Sequence, residues 1–236
     1  MRMRTVSNPS DNLLLASLPA ADRRRLCGRA EPVELVAGDT LATAGKQIRR
    51  VYFPLDSFVS VIESTGRRAQ LEVGLIGNEG MLGAWLALGL NVAPHCAVVH
   101  GAGLAWCVDA ATFARELERN VILRRGVHRY LCVLARQLAQ ASLCARFHFV
   151  DARLARWLLM ARDRSHSSRL QVTHEILAGV LGVRRVGVTR AASKLRISKL
   201  ISYRRGNLEI LDARRLEAVA CECYASAKAT YASMLG

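Results

Sequence analysis

Between residues 33 and 108, apolar and polar positions alternate in short runs: PVELVAGDTL, IRRVYFPL, SFVSVIES, AQLEVGLIG, HCAVVHG and GLAWCVD. A period of two puts one set of side chains on a buried face and the other outside. Gly38-Asp39, Thr65-Gly66 and Gly101-Ala102-Gly103 punctuate the runs. Short strands at this spacing predict an antiparallel barrel or double-sheet roll. ADRRRLCGRA predicts a helix ahead of the roll, and MLGAWLALGL a short apolar helix inserted in it.

After Asp109 the period lengthens to that of a helix. A short helix is predicted near 110–118, then Asn120 as the cap of a long one running to about Phe147 without proline. The long run carries two apolar stripes. One is Leu117, Val121, His128, Leu131, Ala135 and Leu138; the other is Leu123, Val127, Tyr130, Leu134 and Ala141. One stripe can pack on the helix's own domain while the other meets a second copy of the chain, a dimer seam. A single broad core helix is the alternative. At Phe149, Val150 and Asp151 the chain turns into a further helix with Leu154, Trp157, Leu158 and Ala161 on its apolar side, followed by a loop, SHSSR.

THEILAGVLG then opens on Thr173, an N-cap residue, and closes on Gly182, suited to a left-handed turn between two helices. The next stretch, RVGVTRAASKLR, splits cleanly when wound at about 100° per residue. With Arg185 at zero, Val188, Ala191, Ala192 and Leu195 fall between roughly 240° and 340°, while Thr189, Ser193, Val186, Arg190, Lys194 and Gly187 fall between roughly 40° and 200°. An apolar face and a basic, hydroxyl-bearing face after a glycine turn form a helix-turn-helix pattern, with 185–195 as the recognition helix. LISYRRGNLEILD alternates around Arg205-Gly206 and predicts a hairpin with two arginines at its tip, which makes the unit a winged helix. Arginine on such a face suits guanine edges, Val186 a thymine methyl, hydroxyls such as those of Thr173, Thr189 and Ser193 the phosphates, and Arg204 and Arg205 at the hairpin tip the backbone beside the groove.

Charge sharpens this picture. The 236 residues have a net charge of +15 and 51% apolar composition. Residues 147–236 hold 16 Lys and Arg against 7 Asp and Glu, so the anion-binding surface is expected near the C-terminus. Seven cysteines (Cys27, Cys96, Cys107, Cys132, Cys144, Cys221, Cys223) sit at scattered spacings with no CxxC pair. They read as buried free thiols in a reducing cytosol, with no metal expected. Residues 80–108 lack any Asp, Glu, Lys or Arg, yet glycines, Asn91, Pro94, His95 and His100 interrupt them. The interior of a soluble domain fits them better than a membrane span, and the short apolar run near the N-terminus does not make a signal peptide.

The order of roll, long helix, hinge and winged helix, with GDTLATAGKQIRRVYFPLDSFVSVI and VTHEILAGVLGVRRVGVTRAASKL, resembles the Crp/Fnr family of bacterial transcription regulators over about residues 12–225. The resemblance implies an α+β chain: a cyclic-nucleotide-binding-like β-roll over 12–118, a dimerisation helix over 119–148 and a winged helix-turn-helix over 149–236. It implies a cytoplasmic homodimer on pseudopalindromic double-stranded DNA, with RNA polymerase as a further candidate partner and no membrane. Arg185 and Arg190 fall on the family's two base-reading arginines. The acidic residue usual between them is Val186 here, and the usual phosphate-binding Ser and Thr become Arg184 and Gly187. The family's ribose and cyclic-phosphate segments match Gly83-Ala84-Trp85 and His95-Cys96-Ala97, which lack the permanent cation a cyclic phosphate requires. The roll is therefore not expected to bind cyclic AMP or cyclic GMP tightly. No cofactor is expected, a small-molecule effector of unknown chemistry stays open, and the lone N-terminal Cys27 argues against the family's iron–sulfur cluster. Three rivals remain: an enzyme, for which no local Cys–His or carboxylate signature exists; a nonspecific nucleic-acid binder; and a regulator whose roll docks a protein.

Overall fold

The computed structural model describes residues 8–65 and 69–235; the turn read at Gly66 and the basic start of the chain lie outside them. Helices α1 (Leu13–Ala16) and α2 (Ala20–Cys27) precede strands β1 (Glu31–Leu35), β2 (Thr40–Ala42), β3 (Arg50–Pro54), β4 (Phe58–Thr65), β5 (Ala69–Ile76), β6 (Cys96–Gly101) and β7 (Gly103–Asp109). All pairings are antiparallel, in a three-stranded sheet β1-β7-β3 and a four-stranded sheet β2-β6-β4-β5. Every alternating run of the sequence is thus a strand of a two-sheet roll. Val51 and Phe53 on β3 and Ala97 and Val99 on β6 turn inward at period two and are fully buried. The apolar helix expected in MLGAWLALGL is only a 3-10 turn, Ala84–Leu88, cut short between Gly83 and Gly89.

Helix α3 (Ala110–Arg119) is capped by Asp109 and closes the roll through an edge-to-face contact of Phe113 with Phe53 at 5.9 Å. Helix α4 (Val121–Phe147) starts where Asn120 Oδ1 accepts the N–H groups of Ile122 and Leu123, both at 3.0 Å. Its two stripes separate. Leu123, Val127, Tyr130 and Leu134, with Val133, are buried against the roll, whereas Val121, His128 and Ala135 are exposed and Leu131 and Leu138 half-buried.

Helix α5 (Val150–Ser165) leads through β8 (Arg169–Gln171) to α6 (His174–Leu181), α7 (Arg185–Ile197) and the hairpin β9 (Ile201–Arg204) and β10 (Asn207–Ile210). The third sheet, β8-β10-β9, backs the wing; the loop expected at SHSSR lies between α5 and β8, which its last residue, Arg169, begins. Two further helices, α8 (Ala213–Val219) and α9 (Cys223–Leu235), complete the chain, and α9 returns to pack along α4. The winged-helix core is continuous with the roll: Trp157 of α5 meets Phe58 edge-on at 6.2 Å and donates its indole N–H to Glu72 at 3.0 Å.

A buried polar node fastens the same parts. Arg164 of α5 pairs with Glu79 of the roll at 2.8 Å, both nearly inaccessible, and Tyr231 of α9 donates to Glu79 at 3.2 Å. Burying the two charges is tolerable because the remaining guanidinium donors reach the Met160 carbonyl and the Tyr231 hydroxyl.

Candidate functional site

Thr173 caps α6 by accepting the Ile176 N–H at 3.2 Å, and Gly182 ends it in the left-handed conformation, φ +61°. A side chain there would be strained, and a Cβ would also meet Leu71 of β5 at 2.8 Å. The turn delivers the chain into α7, which buries Val188, Ala191, Ala192 and Leu195, the four positions of its apolar face. Removing Val188 and Leu195 from water contributes about 1.5–3 kcal/mol each, enough to fix the helix's rotation. What that rotation exposes is the basic face: Arg184, Arg185, Val186, Thr189, Arg190 and Lys194 are exposed and Ser193 half-buried.

The exposed groups are not equally free. Arg185 has only a long contact of 4.0 Å with Glu175, itself in solvent. The Thr189 hydroxyl donates to the Arg185 carbonyl at 3.1 Å and pairs with His174 Nδ1 at 3.0 Å, so it is engaged within the fold. His174 stacks on Tyr203 of the wing at 4.4 Å; burial, and then the Arg185 cation, hold its pKa below the usual histidine value. Lys194 reaches Asp151 at 3.0 Å, tying the recognition helix to the first turn of α5. The wing is a two-residue hairpin with Arg204 opposite Asn207 and both loop residues at positive φ, Arg205 at 49° and Gly206 at 82°. That is the backbone a tight hairpin demands, and it sets exposed Arg204 and Arg205 at the tip.

In the roll, Gly83, Ala84, Trp85, His95, Cys96 and Ala97 line one cavity of about 350 Å³. The His95 ring is tied to the Glu63 carboxylate and lies 5.9 Å from Trp85. Cys96 Sγ accepts the Ala44 N–H at 3.5 Å. The cations of this cavity, Lys46, Arg49 and Arg50, come from the β2–β3 connection and β3 rather than from the His95 segment. Leu134 and Leu138 of α4 form part of its wall.

The cysteines depart from their expected pattern. Cys132 is exposed, and Cys27 and Cys96 are half-buried. Cys144 and His148, one turn apart at the end of α4, converge with Cys221 from the α8–α9 connection and Cys223 at the start of α9, all four ligand atoms within 4.8 Å of one another. The spacing C-x-x-x-H at a helix end, which sets Cys144 and His148 on one face, is the one local signal of this grouping in the sequence. A hydrogen bond from Cys221 pulls the Cys144 thiol down to about 5 against the opposing effect of burial, with the Arg156 cation assisting. The scattered spacing in sequence, which gave the expectation of isolated thiols without a metal, thus becomes one cluster of three thiols and an imidazole in space.

Residues 152–219 match the family model of the Crp-like helix-turn-helix domain. No curated protein matches the sequence. Among solved structures, FixK2 from Bradyrhizobium japonicum is similar over 81% of this chain and 98% of its own, with a TM-score of 0.66 at 13% identity. TTHB099, a CRP-family transcriptional regulator from Thermus thermophilus, gives 0.65 at 19% identity over 80% and 96%. The c-di-GMP-responsive global regulator CLP from Xanthomonas campestris gives 0.64 at 14% identity over 82% and 100%. Residues 152–219 are thus a Crp-like helix-turn-helix domain, set in a chain that has the fold of the Crp/Fnr transcription regulators.

Proposed function

We propose that this chain is a sequence-specific DNA-binding transcription regulator rather than an enzyme, with residues 12–118 as sensor, 119–148 as dimer helix and 149–236 as DNA-binding domain. The observation that carries the proposal is α7: its apolar face is fully used by the core, while Arg185, Val186 and Arg190 project into solvent with one long ionic contact among them. Arg185 and Arg190 read bases, Val186 offers a methyl contact, and Arg184, Arg204 and Arg205 with Thr173, Ser193 and Lys194 address the backbone. Lys194 must first leave Asp151, and Thr189 contributes by orienting His174 rather than as a free hydroxyl.

The stripe of α4 that leans to solvent, exposed Val121 and Ala135 with half-buried Leu131 and with His128, whose ring also meets the Ala87 carbonyl at 3.3 Å, supports a homodimer on pseudopalindromic sites, with recognition helices about 34 Å apart. Leu138, half-buried, lines the cavity of the roll, which supports a route from effector through the long helix to the hinge. The His95-Cys96-Ala97 segment brings no permanent cation to the cavity and its imidazole is engaged by Glu63, so cyclic AMP and cyclic GMP are poor candidates for it. Selection of duplexes from a random pool, followed by competition, tests the proposal. A selected operator is preferred over random duplex by about a thousandfold; equal binding to both identifies a nonspecific binder instead.

A further inference from the structure

The three thiols and one imidazole at the junction of α4, α5 and the α8–α9 connection form a set with metal-site geometry. Cys144 Sγ and Cys221 Sγ are 3.6 Å apart, and Cys223 Sγ lies 3.5 Å from His148 Nδ1. Zinc–sulfur bonds of about 2.3 Å and zinc–nitrogen bonds of about 2.05 Å give tetrahedral edges of about 3.8 Å and 3.6 Å. The observed separations are already close to those edges. Cys144, Cys221 and Cys223 are buried in one small cluster with Ala152, while His148 keeps partial exposure, which leaves an entry path.

The surroundings favour the same chemistry. His148 turns Nδ1 to the sulfurs because its Nε2 pairs with Glu222 Oε1 at 3.0 Å, the carboxylate–histidine arrangement that fixes the tautomer of a metal ligand. Glu222 sits between Cys221 and Cys223, so one short segment supplies two sulfurs and the orienting carboxylate. Three thiolates and a neutral imidazole around a dication carry one net negative charge. Arg156 stands within electrostatic reach of all three sulfurs, and its buried Nε has no hydrogen-bond partner among the described residues.

We propose that Cys144, His148, Cys221 and Cys223 bind one Zn²⁺ ion as a closed structural site. Thiolate-rich tetrahedral coordination selects zinc over magnesium, calcium or manganese, and four protein ligands leave no open position for catalysis. Binding displaces the remaining thiol protons to solvent and involves no change in oxidation state. The ion clips the end of α4 to the α8–α9 connection beside the hinge, and the assignment does not depend on whether the chain binds DNA.

The test uses the full chain, reduced, stripped with a chelator and titrated anaerobically with Co²⁺. One equivalent is expected to produce thiolate-to-cobalt charge-transfer absorption and strong tetrahedral d–d bands, bleached by one equivalent of Zn²⁺. The double variant Cys221→Ser/Cys223→Ser is expected to lose both features, with far-UV circular dichroism reporting its fold. Glu222→Gln, which keeps all four ligands, is expected to weaken Zn²⁺ binding about 10–100-fold. A weak octahedral cobalt spectrum in the wild-type chain overturns the proposal whatever the variants do. So does charge-transfer absorption that survives in a folded double variant, or stoichiometric iron with acid-labile sulfide in the chain as purified.

Discussion

Two groups of arginines in this molecule do opposite things. Arg184, Arg185, Arg190, Arg204 and Arg205 stand in solvent on α7 and the wing, and among the described residues the long Arg185–Glu175 contact is the one ion pair they make. Arg153 and Arg164, in α5, are buried: Arg164 meets Glu79 and Tyr231, and Arg153 donates to the Leu181 carbonyl at the end of α6. Net charge alone does not distinguish them. Arg164 organises how the winged helix seats on the roll, Arg153 joins α5 to α6 within it, and only the exposed group has its charge free for a polyanion. A basic protein is thus better judged by which cations lack internal partners than by their number.

The largest effect is expected from the buried side of that contrast. Glu79→Gln leaves Arg164 charged and enclosed without its carboxylate, at a cost of about 3–5 kcal/mol, read as a lower urea midpoint. On the exposed side, Arg185→Ala or Arg190→Ala leaves that midpoint unchanged but weakens binding to a selected operator by about 1–3 kcal/mol and relaxes its sequence preference. Arg205→Ala weakens all duplexes alike and lowers the salt slope by about one. Normal operator binding by the Arg185 variant, or a large loss of stability in it, breaks the contrast.

The smallest effect concerns pH at the same seat. Glu72 is pushed up to about 7, first by burial, against hydrogen bonds from Ser60 and Trp157 and the cations of Arg156 and Arg164. The folded state therefore holds this proton more tightly than the unfolded chain. Its contribution is fully present below the ordinary carboxylate range and is lost as pH rises through about 7. Wild-type stability is expected to fall relative to Glu72→Gln across that window; parallel curves would remove Glu72 from the seat's energetics.

The winged helix was legible because its determinants are local. Thr173, Gly182, the four apolar positions of α7 and the Arg205-Gly206 turn each act within a few residues of themselves, and the structure holds all of them where expected. The long helix and its Asn120 cap were legible for the same reason. What went unread depends on distant partners. Helix α9 carries little amphipathic signal because alanines stand on both of its sides, Ala225, Ala229 and Ala232 in solvent and Ala227 in the interior beside Tyr224. Glu72 looks like a solvent-facing strand residue until Trp157, 85 positions later, closes over it. Cys144 and Cys221, separated by 77 positions, meet only because α9 folds back.

Gly182 joins two requirements at one atom. The hydrogen in place of a methyl permits both the reversal between helices and the clearance to Leu71. Any replacement there perturbs the helix-turn-helix and its seat on the roll together, so a loss of stability at this position belongs to both. Variants meant to free the seat without touching the motif belong on the other partner, at Leu71, where shortening the side chain removes the contact and leaves the turn's backbone intact.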